Sequence, residues 1–274
     1  PSWCSVIVAD NASTDNSLSL LQQHFPDVQC IEMQQNTGFA GGYNNALHQI
    51  DAEYFILLNS DIEVTPQWVE PIIEFMIQHA DVAACQPKIL AYNQKDFFEH
   101  AGACGGYIDY LGFPFCRGRI FNSLEKDENQ YPDNKEIFWA TGAAMFIRSN
   151  VFKATGGFDA DFFAHMEEID LCWRMKHCGY KLYCIPASKV YHVGGGTLHK
   201  SNPKKTYLNF RNNLMMLLKN LPSGSRFSVF VKRLFLDKLA FIKFFVSGNF
   251  RDAWAVYRAY FYVMLYFRII MKKR

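Results

Sequence analysis

The residues best suited to chemistry fall in three places. Asn59-Ser60-Asp61 comes directly after Tyr54-Phe55-Ile56-Leu57-Leu58, five large apolar residues bounded by polar ones. Such a run predicts a short buried strand with both faces covered, as in a parallel α/β sheet. Open α/β sheets bind ligands beyond the carboxyl ends of their strands, so Asp61 stands where a substrate or metal would sit. Thr65 and Pro66 predict that a helix follows over about 66–79, with Thr65 as N-cap and Pro66 at the first helical position. A loop acid ahead of a helix also matches the positive end of its dipole, and this stretch alone leaves both uses open.

Glu167, Glu168 and Asp170 crowd the first turn of a second predicted helix, whose apolar side is Ile169, Cys172 and Trp173. Dipole matching is worth a few tenths to about 1 kcal/mol per acid, and three acids in four residues exceed what capping needs. Their mutual repulsion would raise one pKa towards that of a useful base. His192 ends a predicted strand beside Val193-Gly194-Gly195-Gly196-Thr197. It suits a metal or phosphate contact there, although a lone histidine is more often structural.

Two polar segments could hold a phosphorylated ligand. Asp10-Asn11-Ala12-Ser13-Thr14-Asp15-Asn16-Ser17 is a turn rich in helix caps. Asn36-Thr37-Gly38-Phe39-Ala40-Gly41-Gly42-Tyr43-Asn44-Asn45 opens another helix. Its glycines would let the backbone approach a ligand, and free N–H groups at a helix start suit phosphate. The spacing is not G-x-G-x-x-G, so no dinucleotide fingerprint is supported, and a plain glycine-rich loop is the alternative.

The elements that must position these residues begin with Cys4-Ser5-Val6-Ile7-Val8-Ala9, which reads as a buried strand. A helix from about 17 to 24, a strand at 28–31, the helix opened near residue 38 and the strand at 54–58 complete an alternation that predicts a parallel sheet with right-handed crossovers. Val82–Gln86 is a further strand. Residues 92–135 read as a long irregular region, usually functional or mobile at that length. Strand character returns at 137–147, Ser149 then caps a short helix ending at Gly156-Gly157, and strands follow at 181–185 and 190–192. A helix at 205–220 carries Tyr207, Asn209, Arg211 and Asn212.

Segments 226–246 and 250–272 are amphipathic, and Asp237, Lys238, Lys243, Arg258 and Arg268 interrupt them too often for a membrane span. On a helical wheel Arg251, Arg258, Lys272 and Lys273 share one side, next to Trp254, Tyr257, Phe261, Met264 and Met271. A basic stripe beside a broad aromatic face suits an anionic membrane surface; packing on the catalytic domain or on a second subunit, as in a homodimer, is the competing use. The 274 residues suffice for one large domain with an appendage, and half are hydrophobic, enough for a full core. A formal net charge of +2 gives no case for nucleic acid. None of the eight cysteines forms a C-x-x-C pair, so zinc is not expected and free thiols of a reducing compartment are.

The order of these motifs resembles the family 2 glycosyltransferases, and within them the rhamnosyltransferase-like members. The resemblance rests on Val8–Asp15, Asn36–Asn44, Leu58–Asp61, Gly142-Ala143-Ala144-Met145, Phe158-Asp159, Glu167–Leu171 and His192–Gly195, and it covers about residues 5–215. It implies a GT-A fold: α/β, with a mostly parallel central sheet flanked by helices. The implied boundaries are a catalytic domain over 1–204 and a C-terminal helical extension over 205–274. The implied reaction is inverting transfer from a nucleotide-sugar donor, UDP- or dTDP-linked, to a glycan or lipid-linked acceptor in cell-surface polysaccharide synthesis, at the cytoplasmic face of the membrane.

On the same basis Asp10 contacts the nucleotide base, with Asn11, Ser13, Asn36, Gly38, Gly41, Gly42, Asn44 and Asn59 around the donor. Asn59 and Asp61 match the D-x-D-type motif, with Asn in place of its first Asp. Asp61 and His192 are the implied contacts of a divalent metal, Mn2+ or Mg2+. Glu168 falls where the family usually carries the Asp of its Glu-Asp motif, which makes it the implied base, with Glu167 and Asp170 as neighbouring candidates. Family members open on a first strand and loop, whereas this sequence opens on what corresponds to the second strand, so a shortened chain is expected. Two other functions fit less of the pattern: an inactive remnant that binds partners or membrane, and a nucleotidyltransferase, whose basic glycine-rich opening loop is absent.

Overall fold

The computed structural model describes residues 3–100, 102–121, 123–194 and 202–274. The first half alternates as expected: β1 (Ile7–Asp10), α1 (Ser17–His24), β2 (Gln29–Glu32), α2 (Gly38–Leu47) and β3 (Tyr54–Leu58). β1 and β2 pair in parallel as a two-stranded sheet of their own. The helix expected from Pro66 starts later. Residues Ile62–Val64 form β4 instead, Thr65 donates its hydroxyl to the Lys189 carbonyl at 2.7 Å, and α3 runs over Glu70–Gln78 with Pro71 in its first turn.

β5 (Val82–Ala91) is longer than the sequence suggests because Lys181–His192 pairs with it from Val82 to Ala91, with Ala144–Arg148 and then Gln94–Phe98 on its other side. The region expected to be irregular folds into short strands: β6 (Gln94–Phe98), β7 (Gly106–Ile108), β8 (Pro114–Cys116), β9 (Arg119–Ile120), β10 (Ser123–Leu124) and β11 (Lys135–Ile137). β12 (Ala144–Arg148), α4 (Ser149–Ala154), a 3-10 turn at Ala160–Phe162 and α5 (Glu167–His177) follow. The two strands expected at 181–192 are one, β13 (Lys181–His192), with a register shift between Ile185 and Lys189. Helices α6 (Pro203–Asn220), α7 (Ser223–Val246), α8 (Phe250–Leu265) and α9 (Phe267–Lys272) complete the chain.

The main sheet has the order β11-β13-β5-β12-β3, with β4 on β13 and β6 on β5. Within it only β13 and β5 pair in parallel, so the sheet is mixed rather than mostly parallel. The reason is β12. It is reached through the strand-rich excursion and not through a crossover helix, so nothing holds it to the parallel direction, and it inserts antiparallel between β3 and β5. Since β12 opposes both neighbours and β13 parallels β5, the strands β3, β5 and β13 share one direction. The ends of β3 and β13, where Asp61 and His192 lie, therefore face the same edge.

A buried cluster runs from Phe55 and Leu57 through Met145, Ile147, Leu171 and Leu182 to Leu214, Met215, Met216 and Leu218 of α6 and Val263 of α8. Residues beyond 204 thus share the core of the sheet. α7 is built the other way round. Its buried positions are Val229, Arg233 and Asp237, while Phe227, Val231, Leu234, Phe235, Ile242, Phe245 and Val246 are exposed. Arg233 is held by Asp237 at 3.3 Å and by the Leu111 carbonyl at 3.1 Å, and Tyr260 of α8 donates to Asp237 at 2.7 Å.

Candidate active site

The chain reverses after β3 into β4, which pairs antiparallel with the last residues of β13. That reversal brings Asp61 and His192 together: His192 Nε2 lies 3.1 Å from the Asp61 carboxylate, and the Val193 N–H donates to the Asp61 carbonyl at 3.0 Å. The Asn59 N–H is taken by the Ala143 carbonyl at 2.9 Å, which fixes the start of this turn on the edge of β12. On the far side of the imidazole, Glu99 Oε1 is 3.4 Å from His192 Nδ1. Burial disfavours the charged imidazole, but the Glu99 and Asp61 carboxylates on its two sides outweigh that and raise the His192 pKa. Of the glycines expected after His192, Gly194 sits against Glu99, while Gly195, Gly196 and Thr197 lie outside the described residues.

Asp61 and His192 form a set of one carboxylate and one imidazole, and no group of three or more metal-ligating side chains occurs among the described residues. Such a pair fits a divalent ion that draws its remaining ligands from phosphate oxygens, the usual manner of Mg2+ beside a nucleotide. Glu99 supplies the outer carboxylate that would fix the histidine tautomer. It went unread in the sequence because it follows β6 and reaches His192 only through the pairing of β6 and β13 with β5.

The three acids of α5 part company. Asp170 is fully buried and receives Arg174 at 2.9 Å, Lys219 at 2.8 Å and Asn220 at 2.8 Å. Its grouping with the catalytic candidates is corrected on this geometry: both oxygens are occupied by donors of the protein itself. Glu167 and Glu168 each keep one enclosed carboxylate oxygen without a protein partner. Desolvation pushes the Glu168 carboxyl up to about 7, against the pull of backbone N–H groups. Burial, with Glu168 and Asp170 beside it, raises Glu167 as well.

The loops expected to meet the donor are partly consumed in holding one another. Asn11 donates to the Gly38 carbonyl at 2.9 Å and accepts from the Thr37 N–H at 3.1 Å. Asn36 accepts from the Gly38 N–H at 2.9 Å. Asn44 clasps Phe158 through both backbone groups, at 2.7 and 3.0 Å, so its amide is oriented by the protein's own backbone. The missing side chains of Gly41 and Gly42 make room for Thr37 and Asn11, and that of Gly38 for Phe163. These glycines serve close packing of protein on protein rather than an open cradle. Asp10 is buried, and one of its oxygens accepts from the Ser13 N–H at 3.1 Å. α2 is the hub: Gly38 meets the segment leading to Glu167, and the Tyr43 hydroxyl donates to the Leu58 carbonyl at 3.2 Å, next to Asn59.

Known proteins resemble this chain in sequence and in fold. The N-acetylglucosaminyl-diphospho-decaprenol L-rhamnosyltransferase of Mycobacterium tuberculosis is 25% identical over 69% of this chain, which spans 66% of that protein's length. The rhamnosyltransferase WbbL of Escherichia coli K12 is 35% identical over 68% of this chain and 72% of its own length. Among solved structures, GalNAc-T7 with UDP, GalNAc and Mn2+ superposes with a TM-score of 0.60 at 13% identity, covering 78% of this chain and 41% of that one. The mannosyltransferase PcManGT from Pyrobaculum calidifontis, with GDP-Man and Mn2+, does so with 0.52 at 13% identity over 96% and 65%. Those two likenesses establish the GT-A fold. The model of glycosyl transferase family 2 matches residues 4–156, and with the WbbL similarity and the site geometry the chain belongs to that family, among its rhamnosyltransferase-like members.

Proposed function

We propose that this glycosyltransferase moves a deoxyhexose such as L-rhamnose, with inversion, from a uridine- or thymidine-diphosphate donor to a hydroxyl of a lipid-linked saccharide. The observation that carries the reading is the glutamate pair at the start of α5, each with an enclosed carboxylate oxygen that no protein group meets. A carboxylate whose pKa lies near 7 is matched to general-base work at neutral pH. Glu168 takes the proton of the acceptor hydroxyl as its oxygen attacks the anomeric carbon, and the bond to the diphosphate breaks on the opposite face. Asp61 and His192 are the residues that would hold a Mn2+ or Mg2+ ion, whose charge would offset that of the departing diphosphate. Asp10 and Ser13 are proposed to meet the nucleoside, with Asn11 and Asn36 shaping the loop beside them.

The acceptor reading draws on the relatives' names, one of which acts on a polyprenyl-diphosphate-linked N-acetylglucosamine. It also draws on α7 and α8. A helix that buries Arg233 and Asp237 and turns its large apolar residues outward fits an apolar surrounding, and exposed Lys232, Lys238, Arg251 and Arg268 fit an anionic one. We place this face on the cytoplasmic side of the membrane. No helix among the described residues is long and apolar enough to cross one.

The test begins with calorimetric binding of UDP, dTDP and GDP with and without Mn2+. Transfer from the matching nucleotide sugar to a polyprenyl-diphosphate-linked N-acetylglucosamine is then followed by mass spectrometry, and the anomeric configuration by NMR. Absence of metal-dependent nucleotide binding would sink the reading, and retained configuration would remove the single-base mechanism.

A further inference from the structure

The segment that delivers Glu167 and Glu168 has an unusual backbone. Phe163, His165 and Met166 all have positive φ, at 64°, 71° and 73°, and none is glycine. Phe163, with ψ at −61°, centres a γ-turn of the rare positive-φ kind, closed by the Ala164 N–H on the Phe162 carbonyl at 2.7 Å. Such conformations are costly and persist only where the surroundings over-determine them.

α6 supplies those surroundings. The fully buried Asn212 amide donates to the carbonyls of Phe162, Ala164 and His165 at 2.9, 2.8 and 2.7 Å. The Arg211 guanidinium donates to the carbonyls of Asp161 and Phe162 at 2.8 and 2.9 Å. Its Nε donates to the Asn212 side-chain oxygen at 2.8 Å, which fixes the way the amide points. The Phe163 carbonyl accepts from the Ala40 N–H at 3.3 Å, and the Met166 carbonyl from the Asp170 N–H at 2.9 Å. Every carbonyl from 161 to 166 is thereby spoken for, and five of the donations come from two adjacent residues of one helix. Arg211 is itself sandwiched by Tyr207 of α6 and Tyr262 of α8, at 5.3 and 5.1 Å from the ring centres.

We infer that Arg211 and Asn212 are positioning residues for the transfer reaction: they lock the positive-φ backbone at Phe163, His165 and Met166 so that the two glutamates stand at a fixed place beside the acceptor hydroxyl. This rests on the role proposed above for Glu168. A side chain with two N–H groups spread over three carbonyls does not strengthen α6, whose own backbone bonds need no help. Its effect is confined to the loop. Displacing a base by about 1 Å can cost on the order of 10²-fold in turnover while leaving the binding of the other substrate alone.

The experiment compares wild type, Asn212→Ala and the milder Arg211→Lys. Three readouts are taken: kcat and KM for the donor, calorimetric affinity for UDP with Mn2+, and amide hydrogen exchange over residues 161–168. The expected result for Asn212→Ala is a kcat lower by about 10²-fold, donor KM and UDP affinity within about threefold of wild type, and faster exchange confined to 161–168. Arg211→Lys, which keeps the amide but frees its orientation, should fall between. Unchanged kcat and exchange, or a loss that appears in KM instead, would overturn the assignment. A chain that is destabilised throughout in Asn212→Ala while Arg211→Lys exchanges and turns over like wild type would overturn it too. If wild type transfers no sugar, the functional reading fails, yet localised exchange still decides whether α6 locks the loop.

Discussion

Glu168 and Asp170 sit two positions apart on one turn and live in opposite environments. Asp170 is held by Arg174, Lys219 and Asn220, whereas Glu168 is enclosed with an oxygen to spare. Glu168→Gln should therefore keep nucleotide binding and lose about 10²- to 10⁴-fold in kcat. In wild type, kcat should rise with pH to a plateau above about 7, and in the variant this rise should be gone. Stability gives an independent reading. A carboxyl whose pKa is raised by folding favours the native state while protonated, and that contribution is lost as pH climbs from the ordinary range near 4.5 through about 7. Glu168→Gln should then be more stable than wild type at pH 8 and nearly equal at pH 4.5, by urea denaturation. An advantage independent of pH would refute the raised pKa. Asp61 is half-exposed and has His192 as its side-chain partner, so Asp61→Ala should fold normally and lose the Mn2+-dependent part of UDP or dTDP affinity. Calorimetry that shows equal affinity would return Asp61 to the role of a loop acid. The acids and the histidine were legible in the sequence because each stands at the end of a strongly patterned strand or helix. Glu99 was not, since nothing local marks a carboxylate that meets its histidine across strand pairings.

At the scale of elements, the glycine-rich start of α2 shows how the same residue types serve a different purpose from the one their spacing advertises. Gly38 has φ of +74°, and a Cβ there would lie 2.3 Å from the Phe163 carbonyl oxygen. Backbone strain and overlap act together, because Phe163 is pinned by the Ala40 N–H and cannot retreat. Gly38→Ala should cost about 1–3 kcal/mol of stability, the range for overpacking a close contact. It should also lower kcat more than it weakens UDP binding, because the strain falls on the segment leading to Glu167. Equal stability by denaturant titration would mean that the two loops can separate. The alternation of β1 to β3 was readable from apolar runs and caps. The direction of β12 and the short strands β6 to β11 were not, because their pairing depends on partners far away in sequence. Asn11 and Asn44 read as ligand contacts for the same reason: an asparagine in a loop looks alike whether its amide meets a phosphate or, as here for Asn44, the backbone of Phe158.

The whole molecule has one face that its own core does not explain. α7 buries a narrow stripe containing two charges, and with α8 it exposes Phe227, Leu234, Phe235, Ile242, Phe245 and Trp254. The sequence showed a basic stripe here, and the structure narrows it. Lys273 is bound to Asp159 and Asp161, both at 2.6 Å, Arg258 lies over the Tyr207 ring, and Met271 packs on the core. Arg251, Arg258 and Lys272 remain exposed, joined by Lys232, Lys238 and Arg268. Each cation near an anionic bilayer contributes about 1 kcal/mol, and the apolar side chains add burial in the interfacial region. Binding to anionic vesicles should thus have two separable parts. Raising the salt from low to physiological concentration should weaken it, because the Debye length falls to about 8 Å. Phe235→Ser with Phe245→Ser should weaken it at every salt concentration, since the apolar part is not screened. Arg251→Glu with Arg268→Glu should remove the preference for anionic over neutral vesicles. Co-sedimentation measures all three. Failure to bind either vesicle, with a stable dimer by ultracentrifugation that the two serine substitutions dissociate, would assign the same face to a second copy of the chain.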